Sequence, residues 1–241
     1  MKKYILAWAF LSIFNVGFSQ KSNTKKQIDL SNRPSDHLMI QFSADNWNGA
    51  ADSVSARIKT GSRGANVYFM LDKPFKSNPH FSAAFGLGIG TSHIFLDKLI
   101  ADIKGTSSTL MFTSLDTTNR FKKYKVTTAY LEVPVELRFS LHPDKPNKSF
   151  KVAIGAKVGT LMNVHTKGKT LLNSSGKTIS SYTEKINSKS YFNNRRLAAT
   201  ARIGYGNFSF FGSYNLSGSI FKDLVSADTK LLQLGLTISG L

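Results

Sequence analysis

The charged side chains best suited to chemistry lie on the polar faces of segments that alternate between polar and apolar residues. Opposite charges that face one another on neighbouring strands can form ion pairs, hold a polar ligand or line a conduit. Charges enclosed in a protein interior must be paired, because an unpaired buried charge is costly. The predicted charge network consists of Glu132, Glu136, Arg138, Lys151, Lys157 and Arg202.

Strand register decides which of these charges can meet. A turn centred near residues 145–146 would place the two glutamates opposite Gly155 and Gly159. Lys157 would then lie diagonal to both glutamates, within reach of its long side chain. The network would therefore form an ionic plug if the strands close around it, and the alternative is a polar conduit or a binding site.

Histidine is the other candidate for chemistry. None of the five histidines has a partner at the i, i+2 or i, i+4 spacing typical of a metal site, and the absence of Cys excludes thiolate ligands and a thiol nucleophile. His93 and His165 lie at strand ends, where a Ser–His or Asp–His pair could assemble. Ser92 and Asp97 lie nearby, but no spacing is diagnostic. We therefore predict no enzyme, no metal and no cofactor.

The elements that position these residues alternate with a period of two, which predicts β-strands and not helices. In the clearest segment, Phe208, Phe210 and Tyr214 face one way, and Ser209 and Ser213 face the other. The eight predicted strands are residues 37–44, 64–71, 81–93, 126–139, 150–162, 195–205, 208–216 and 232–239.

The connections between these strands alternate in length, as they do in outer-membrane barrels with short periplasmic turns and long outer loops. We therefore predict an all-β fold, an eight-stranded antiparallel up-and-down transmembrane β-barrel. Such a barrel is just wide enough to be filled by side chains, which favours the plug over the conduit. The long connections are 45–63, 95–124, 164–193 and 217–229, and the short ones are 72–80, 140–149 and 206–207.

Large apolar residues should face outward, which is the reverse of a soluble barrel. A soluble exported ligand-binding barrel is the alternative, but its water-facing strands would gain nothing from glycine. Glycines such as Gly88 and Gly155 lie on the polar face, where a narrow lumen would need the space. Pro134 cannot donate to a sheet ladder, so we expect a bulge near residues 133–135.

The N-terminus has the layout of a secretory signal peptide, with a basic start, a short apolar run and small residues before Gln20. We predict a signal peptide over residues 1–19, a flexible lead-in over 20–36 and a barrel domain over 37–241. The apolar run is short for a membrane-spanning helix. The predicted location is the outer membrane.

The segment Leu131-Glu-Val-Pro-Val-Glu-Leu137, together with Phe85-Gly-Leu-Gly-Ile-Gly90 and the signal peptide, resembles the PorT-like outer-membrane β-barrel family of Bacteroidetes-type bacteria. The resemblance covers residues 20–241. It implies an outer-membrane barrel, and the family member that gives the group its name is associated with protein secretion through the type IX system.

The net charge of +18 on 241 residues would first suggest a nucleic-acid partner, but export excludes one. Cations at the outer rim could bind the phosphates of a surface glycolipid, and the alternative is a solvated loop. We therefore expect contact with outer-membrane lipid. The predicted lipid-phosphate contacts are Lys122, Lys123, Lys125, Arg195 and Arg196.

Three functional hypotheses follow from these residues. The first is a structural or interaction protein of the outer membrane, an accessory of secretion or envelope assembly, with envelope or secretion proteins as partners and a monomeric barrel. The second is a barrel enzyme that acts on lipid or peptide at the outer rim. The third is the soluble exported barrel, which fractionation would distinguish from the other two.

Overall fold

The strands form where polar and apolar side chains alternate, because this pattern gives each strand one apolar face and one polar face. The computed structural model describes residues 37–222 and 228–240. The predicted signal peptide and lead-in, residues 1–36, lie outside the described residues. In the described part of the chain, no helix is long and apolar enough to cross a membrane.

Eleven strands and one short helix make up the described chain. The strands are β1 (Leu38–Asn48), β2 (Arg63–Pro74), β3 (Phe81–Leu96), β4 (Leu99–Asp102), β5 (Met111–Ser114), β6 (Arg120–Ser140), β7 (Phe150–Leu172), β8 (Thr178–Asn187), β9 (Arg195–Tyr205), β10 (Phe208–Asn215) and β11 (Lys230–Ser239). Helix α1 spans Asp52–Ser55, and a 3₁₀ turn spans Pro146–Lys148.

Eight of the strands close into a ring in which every neighbouring pair is antiparallel. The order around the ring is β1, β2, β3, β6, β7, β9, β10 and β11, and β11 pairs with β1 to close it. The predicted eight-stranded up-and-down barrel is confirmed. By the rule for outer-membrane barrels, its three short turns face the periplasm.

The remaining strands correct the predicted loops. β6 and β7 continue beyond the ring into the regions expected to be loops, and β8 pairs with the upper part of β7. β4 and β5 form a separate hairpin. The alternation in these regions does not separate a buried face from an exposed one, as in β8, where nearly every residue is exposed, including Ile179 and Tyr182. The sequence pattern therefore carried no signal of one buried face there.

The register at the predicted charge network follows the expected turn. Glu132 pairs with Gly159 and Glu136 pairs with Gly155 across β6 and β7. Period two then sends both carboxylates to the same face of β6. That face is the barrel interior, since both glutamates are buried.

The bulge predicted near residues 133–135 is wrong. The register between β6 and β7 shifts between Ala129 and Tyr130 instead. At Pro134 the pairing with β3 is interrupted, but the pairs on either side stay in one register. Because proline lacks an N–H, the ladder loses a bond there without gaining an extra residue.

Along its lower part the barrel is apolar outside, and its interior is mostly polar apart from one apolar cluster that contains Met39, Met70 and Ala84. Short-turn aromatics lie side by side on the outward face, with Phe81 paired to Phe139 and Phe150 paired to Tyr205. The outward apolar band includes Phe42, Val67, Phe69, Phe85, Leu87, Ile89, Leu131, Val135, Ile154, Val158, Ile203, Phe210, Leu234 and Leu236, all exposed. An exposed apolar band of this extent indicates a lipid environment.

Candidate functional site

The upper half of the lumen is organised around Glu132, which is fully buried. Its carboxylate forms ion pairs with Arg196 of β9 and with Lys157 of β7, the latter at 3.3 Å from Nζ to Oε2. It also accepts a hydrogen bond of 2.5 Å from the hydroxyl of Tyr68 on β2. Three other strands of the ring therefore direct a donor to one carboxylate.

Lys157 links Glu132 to a second buried carboxylate, Asp45 of β1. Lys157 Nζ donates to Gln233 Oε1 at 3.2 Å, and Gln233 Nε2 donates to Asp45 Oδ2 at 3.2 Å. Ser43 Oγ donates to Asp45 Oδ1 at 2.5 Å. We call Glu132, Asp45, Lys157 and Arg196 the upper cluster, which holds two carboxylates and two cations.

The lower half of the lumen repeats this arrangement around Glu136. Arg202 Nη2 lies 2.6 Å from Glu136 Oε2, and Arg138 Nε lies 2.9 Å from the same oxygen. Arg138 Nη1 lies 3.8 Å from Asp72 Oδ1. We call Glu136, Asp72, Arg138 and Arg202 the lower cluster, which again holds two carboxylates and two cations.

Two glycines give the carboxylate of Glu132 its space. A Cβ atom at Gly159, directly opposite on β7, would lie 3.1 Å from Glu132 Cγ. A Cβ atom at Gly90 of β3 would contact the carboxylate itself. Glycine on the polar face therefore makes room for a charged side chain, as the narrow-lumen interpretation requires.

The two clusters can fill and hold the lumen. Buried charges repay their desolvation only when they are well paired and hydrogen-bonded, and the carboxylates of Glu132 and Glu136 have such partners. The strands joined through side chains are non-adjacent as well as adjacent, because β6 is tied to β2 and β9. The arrangement is that of an ionic plug.

The structure places five of the six predicted network residues in these clusters. The sixth, Lys151, is half-buried on β7 opposite Ser140, nearer the short turns. The sequence argument missed Asp45, Tyr68, Asp72, Arg196 and Gln233. Each of these residues lies on the polar face of its strand, so alternation alone could have identified it. No run of acidic or basic residues in the sequence singled them out.

The lumen above the upper cluster is apolar, and we call this region the apolar cap. Its centre is aromatic, with ring centroids 5.1 Å apart for Trp47 and Phe221 and 5.1 Å apart for Phe192 and Phe221. Its buried residues are Trp47, Val54, Ile94, Leu96, Leu99, Ala101, Ile103, Leu110, Tyr124, Val126, Tyr130, Leu161, Val164, Tyr191, Phe192, Ile220, Phe221 and Leu231.

Tyr130 joins the cap to the upper cluster. The guanidinium of Arg196 lies 4.3 Å from the centre of the Tyr130 ring. The Tyr130 hydroxyl donates to the carbonyl of Asn193 at 3.2 Å. An aromatic ring therefore covers the Arg196 guanidinium, one of the two cations of the upper cluster, and shields it from water.

The predicted lipid-phosphate contacts occupy different places. Lys122 and Lys123 are exposed on the upper part of β6, Lys125 is half-buried two residues below, and Arg195 is exposed at the start of β9. Arg196 corrects the prediction, because it is buried in the lumen and paired with Glu132. The alternation of β9 turns neighbouring residues to opposite faces, so these two arginines cannot share a role.

The histidines do not assemble a recognisable site. His93 Nδ1 lies 2.9 Å from Thr127 Oγ1 and 3.3 Å from Lys125 Nζ, on the outer wall. His165 also lies on that wall, opposite Thr127 on β6. Within residues 37–222 and 228–240, no three His, Asp or Glu side chains come together as they would around a metal ion.

The outer loops carry exposed ion pairs. Arg57 pairs with Asp116 through two hydrogen bonds, of 2.9 Å and 2.5 Å, and Lys59 Nζ lies 2.8 Å from Asp97 Oδ1. Hydrogen bonds from Arg57 hold the pKa of Asp116 below its usual range. The hydrogen bond from Lys59 lowers the pKa of Asp97 in the same way.

A family model described as "Outer membrane protein beta-barrel domain" matches residues 12–221. The chain belongs to this family. The inside-out barrel and this membership place the protein in the outer membrane. The last strand of this outer-membrane β-barrel domain, β11, follows the matched residues and closes the ring. No curated protein matches the sequence.

The barrel is similar to two crystal structures of Ail, the attachment invasion locus protein of Yersinia pestis. One aligns over 86% of this chain and 99% of Ail, at 12% identity and a TM-score of 0.32. The other, a complex with the heparin analogue sucrose octasulfate, aligns over 84% of this chain and 96% of Ail, at 13% identity and a TM-score of 0.32. Values this low support no inference about what this outer-membrane protein binds.

Proposed function

We propose that this protein is a PorT-like accessory of secretion or envelope assembly, which acts as a structural or interaction module and not as an enzyme or a channel. It would bind its partners through surfaces outside the lumen. Its partners would be envelope or secretion proteins, and the barrel itself would be a monomer.

The filled lumen is the observation that carries this proposal. Glu132 and Glu136 are each held by two cations, and the apolar cap lies directly above them. A conduit would need a continuous wet path, and an enzyme would need an accessible cleft with convergent polar groups. The interior described here is occupied by its own side chains.

The projecting sheet supports an interaction role. β6 and β7 rise beyond the ring, and β8 extends this sheet with one edge that pairs with no other described strand. Ile179 and Tyr182 on β8 are exposed apolar residues. An exposed strand edge is a ready template for a partner, so this sheet is the part of the surface best suited to bind protein.

The test is purification of the full chain from detergent-solubilised envelope, followed by identification of the proteins that remain bound. The contact variant is Ile179→Ser with Tyr182→Ser. The matched control is Phe75→Ser with Leu141→Ser, which removes exposed apolar residues from the short turns instead.

We expect the wild-type chain and the control to retain secretion or envelope-assembly components, and the contact variant to lose them. A clean monomer from the wild-type chain would contradict the accessory role. A retained hydrolytic activity that disappears with His93→Ala or His165→Ala would favour the enzyme hypothesis instead.

A further inference from the structure

Cations run in rows across the outward face of the barrel wall. Lys125 of β6 pairs in register with Lys167 of β7, and Lys167 pairs in register with Lys185 of β8. Two residues farther up, Lys123 lies opposite Lys169. Three neighbouring strands therefore present lysines side by side on one face, which we call the basic wall.

Strand parity fixes the direction of the basic wall. Leu131 and Val133 of β6 are exposed in the apolar band, and odd-numbered residues of the same strand point the same way. Lys125 and Lys123 continue that series. On β7 the register shift beside Ala129 brings the odd-numbered residues to the outward face above it. The basic wall therefore faces the membrane side and not the lumen.

The basic wall lies above the apolar band on the outward face. On β3, Ile89 is the last large exposed apolar residue, and Phe95 lies six residues farther along the strand. At about 3.4 Å per residue, with a strand tilt of about 40°, six residues rise roughly 15 Å. The wall therefore lies above the apolar band, on the headgroup side of the hydrocarbon core.

An aromatic ring anchors the lower edge of the wall. The Arg63 guanidinium lies 5.5 Å from the centre of the Phe95 ring, and Lys125 Nζ lies 5.7 Å from it. His93 lies one position nearer the band on the same face, in register with Arg63. Aromatic and cationic side chains combined in this way are typical of the zone between hydrocarbon and headgroups.

The cations of this wall have no carboxylate partner among the described residues. Some cations of the outer loops are paired, as Arg57 is with Asp116 and Lys59 with Asp97. Like charges directly opposite on neighbouring strands are destabilising. Because Lys125, Lys167 and Lys185 face one another in a row, anions from outside the chain would relieve the repulsion between them.

We propose that the basic wall is a binding site for phosphate groups on the headgroups of outer-leaflet glycolipid. The lysines and Arg63 supply the positive charge, and the Phe95 ring lies beneath Arg63 and Lys125 at the lower edge of the wall. The inference depends on the outer-membrane location and is independent of the accessory role proposed above. It narrows the rim assignment from the sequence to one face of three neighbouring strands and removes Arg196 from it.

The experiment uses the purified full-length mature chain in detergent, titrated with lipid A that carries two phosphates, and native mass spectrometry measures the lipid retained. The wall variant is K125Q, K167Q and K185Q together. The matched control is K76Q, K145Q and K148Q together, which removes three exposed lysines at the short-turn end. Heat-dependent electrophoretic mobility reports whether each variant is folded.

We expect the wall variant to retain lipid A about tenfold less well, since each cation near an anionic surface contributes to binding. The control should bind as the wild-type chain does, and lipid A without its phosphates should bind the wild-type chain as weakly as the wall variant binds the intact lipid. Equal loss in both variants, or no effect of removing the phosphates, would overturn the proposal.

Two further comparisons distinguish lipid from free phosphate and provide a result if a variant does not fold. Millimolar inorganic phosphate at constant ionic strength should displace little lipid A, and complete displacement would overturn the assignment to lipid. If the wall variant failed to fold, the comparison of the two lipids on the wild-type chain would decide the matter.

Discussion

The charged lumen and the apolar cap are enclosed by the same chain, but they bury opposite kinds of side chain. In the lumen, Glu132 and Glu136 are buried among cations while the outside of the wall is apolar. In the cap, Phe192 and Phe221 are buried among apolar residues, and the outer loops above the membrane carry exposed ion pairs. The boundary between the two lies at Tyr130 and Arg196.

The environment outside the wall determines which side chains the barrel interior can hold. A strand that faces lipid must be apolar outside, so its polar residues turn inward and must satisfy one another. A strand or loop that faces water can bury apolar residues in the usual way. The interior changes from charged to apolar where the barrel wall leaves the membrane.

The largest effect should come from breaking the upper cluster. Glu132→Ala would leave Arg196 and Lys157 buried without their shared carboxylate. Loss of one partner from a buried ion pair costs about 3–5 kcal/mol, and here two cations lose a partner. We expect a lower urea midpoint for unfolding of the whole barrel in lipid vesicles, or failure to fold.

The matched control for that variant is Glu184→Ala, the same change at an exposed carboxylate on β8. The control should leave the urea midpoint of the barrel unchanged. Similar midpoints for the two variants would contradict the interpretation of Glu132 as the centre of the upper cluster.

A smaller and local effect should come from breaking the cap. Phe192 is fully buried against Phe221, and replacing a buried phenylalanine with alanine costs about 3–5 kcal/mol where the whole structure responds. Because the cap can open without the ring, Phe192→Ala should speed proteolysis of the outer loops while the barrel midpoint changes less than in Glu132→Ala.

Phe75→Ala, at an exposed phenylalanine in a short turn, is the control for the cap. It should change neither proteolysis of the outer loops nor the barrel midpoint. Global unfolding of the Phe192→Ala barrel would show that cap and lumen are one cooperative unit and would remove the distinction drawn above.

The lumen could be predicted from the sequence because the rules that build it are local. Alternation assigns Glu132 and Glu136 to one face, and the turn before Phe150 fixes the register that places Gly155 and Gly159 opposite them. Arg196 was misassigned because it was grouped with the cations of the outer rim, although it lies within the predicted strand 195–205. Leu197 is exposed on the outward face of β9, so alternation places its neighbour Arg196 inside the lumen.

The cap could not be predicted because its residues come from every long connection at irregular spacing. Trp47, Phe112, Phe192 and Phe221 contact one another, but each lies in a different part of the chain. No period of two or 3.6 links them, so only the fold brings them together. β8 could not be predicted either, because its exposed residues show no buried face, and only its pairing with β7 defines it as a strand.

The smallest effect should come from the loop ion pair between Arg57 and Asp116. Hydrogen bonds from Arg57 lower the pKa of Asp116, so this contact is present above the ordinary pKa of aspartate and is lost only in stronger acid. An NMR titration of the Asp116 carboxyl in the folded protein should give a pKa below about 3.9. In Arg57→Gln the pKa should rise towards that value, and an unchanged pKa would exclude Arg57 as the cause.

We interpret the lumen as held together by charges that balance within each cluster. A double-mutant cycle on Glu136 and Arg202 tests this interpretation most directly, with urea unfolding in lipid vesicles as the measurement. Each single change to Gln leaves the lower cluster unbalanced, whereas the double variant leaves Arg138 with Asp72. The same cycle on the exposed pair Lys59 and Asp97 is the control and should give a smaller coupling.

For Glu136 and Arg202 we predict that the double variant loses less free energy of unfolding than the two single variants together, by about 1 kcal/mol or more. Losses that add to within about 0.5 kcal/mol would mean that the two side chains act independently, and this result would contradict the account.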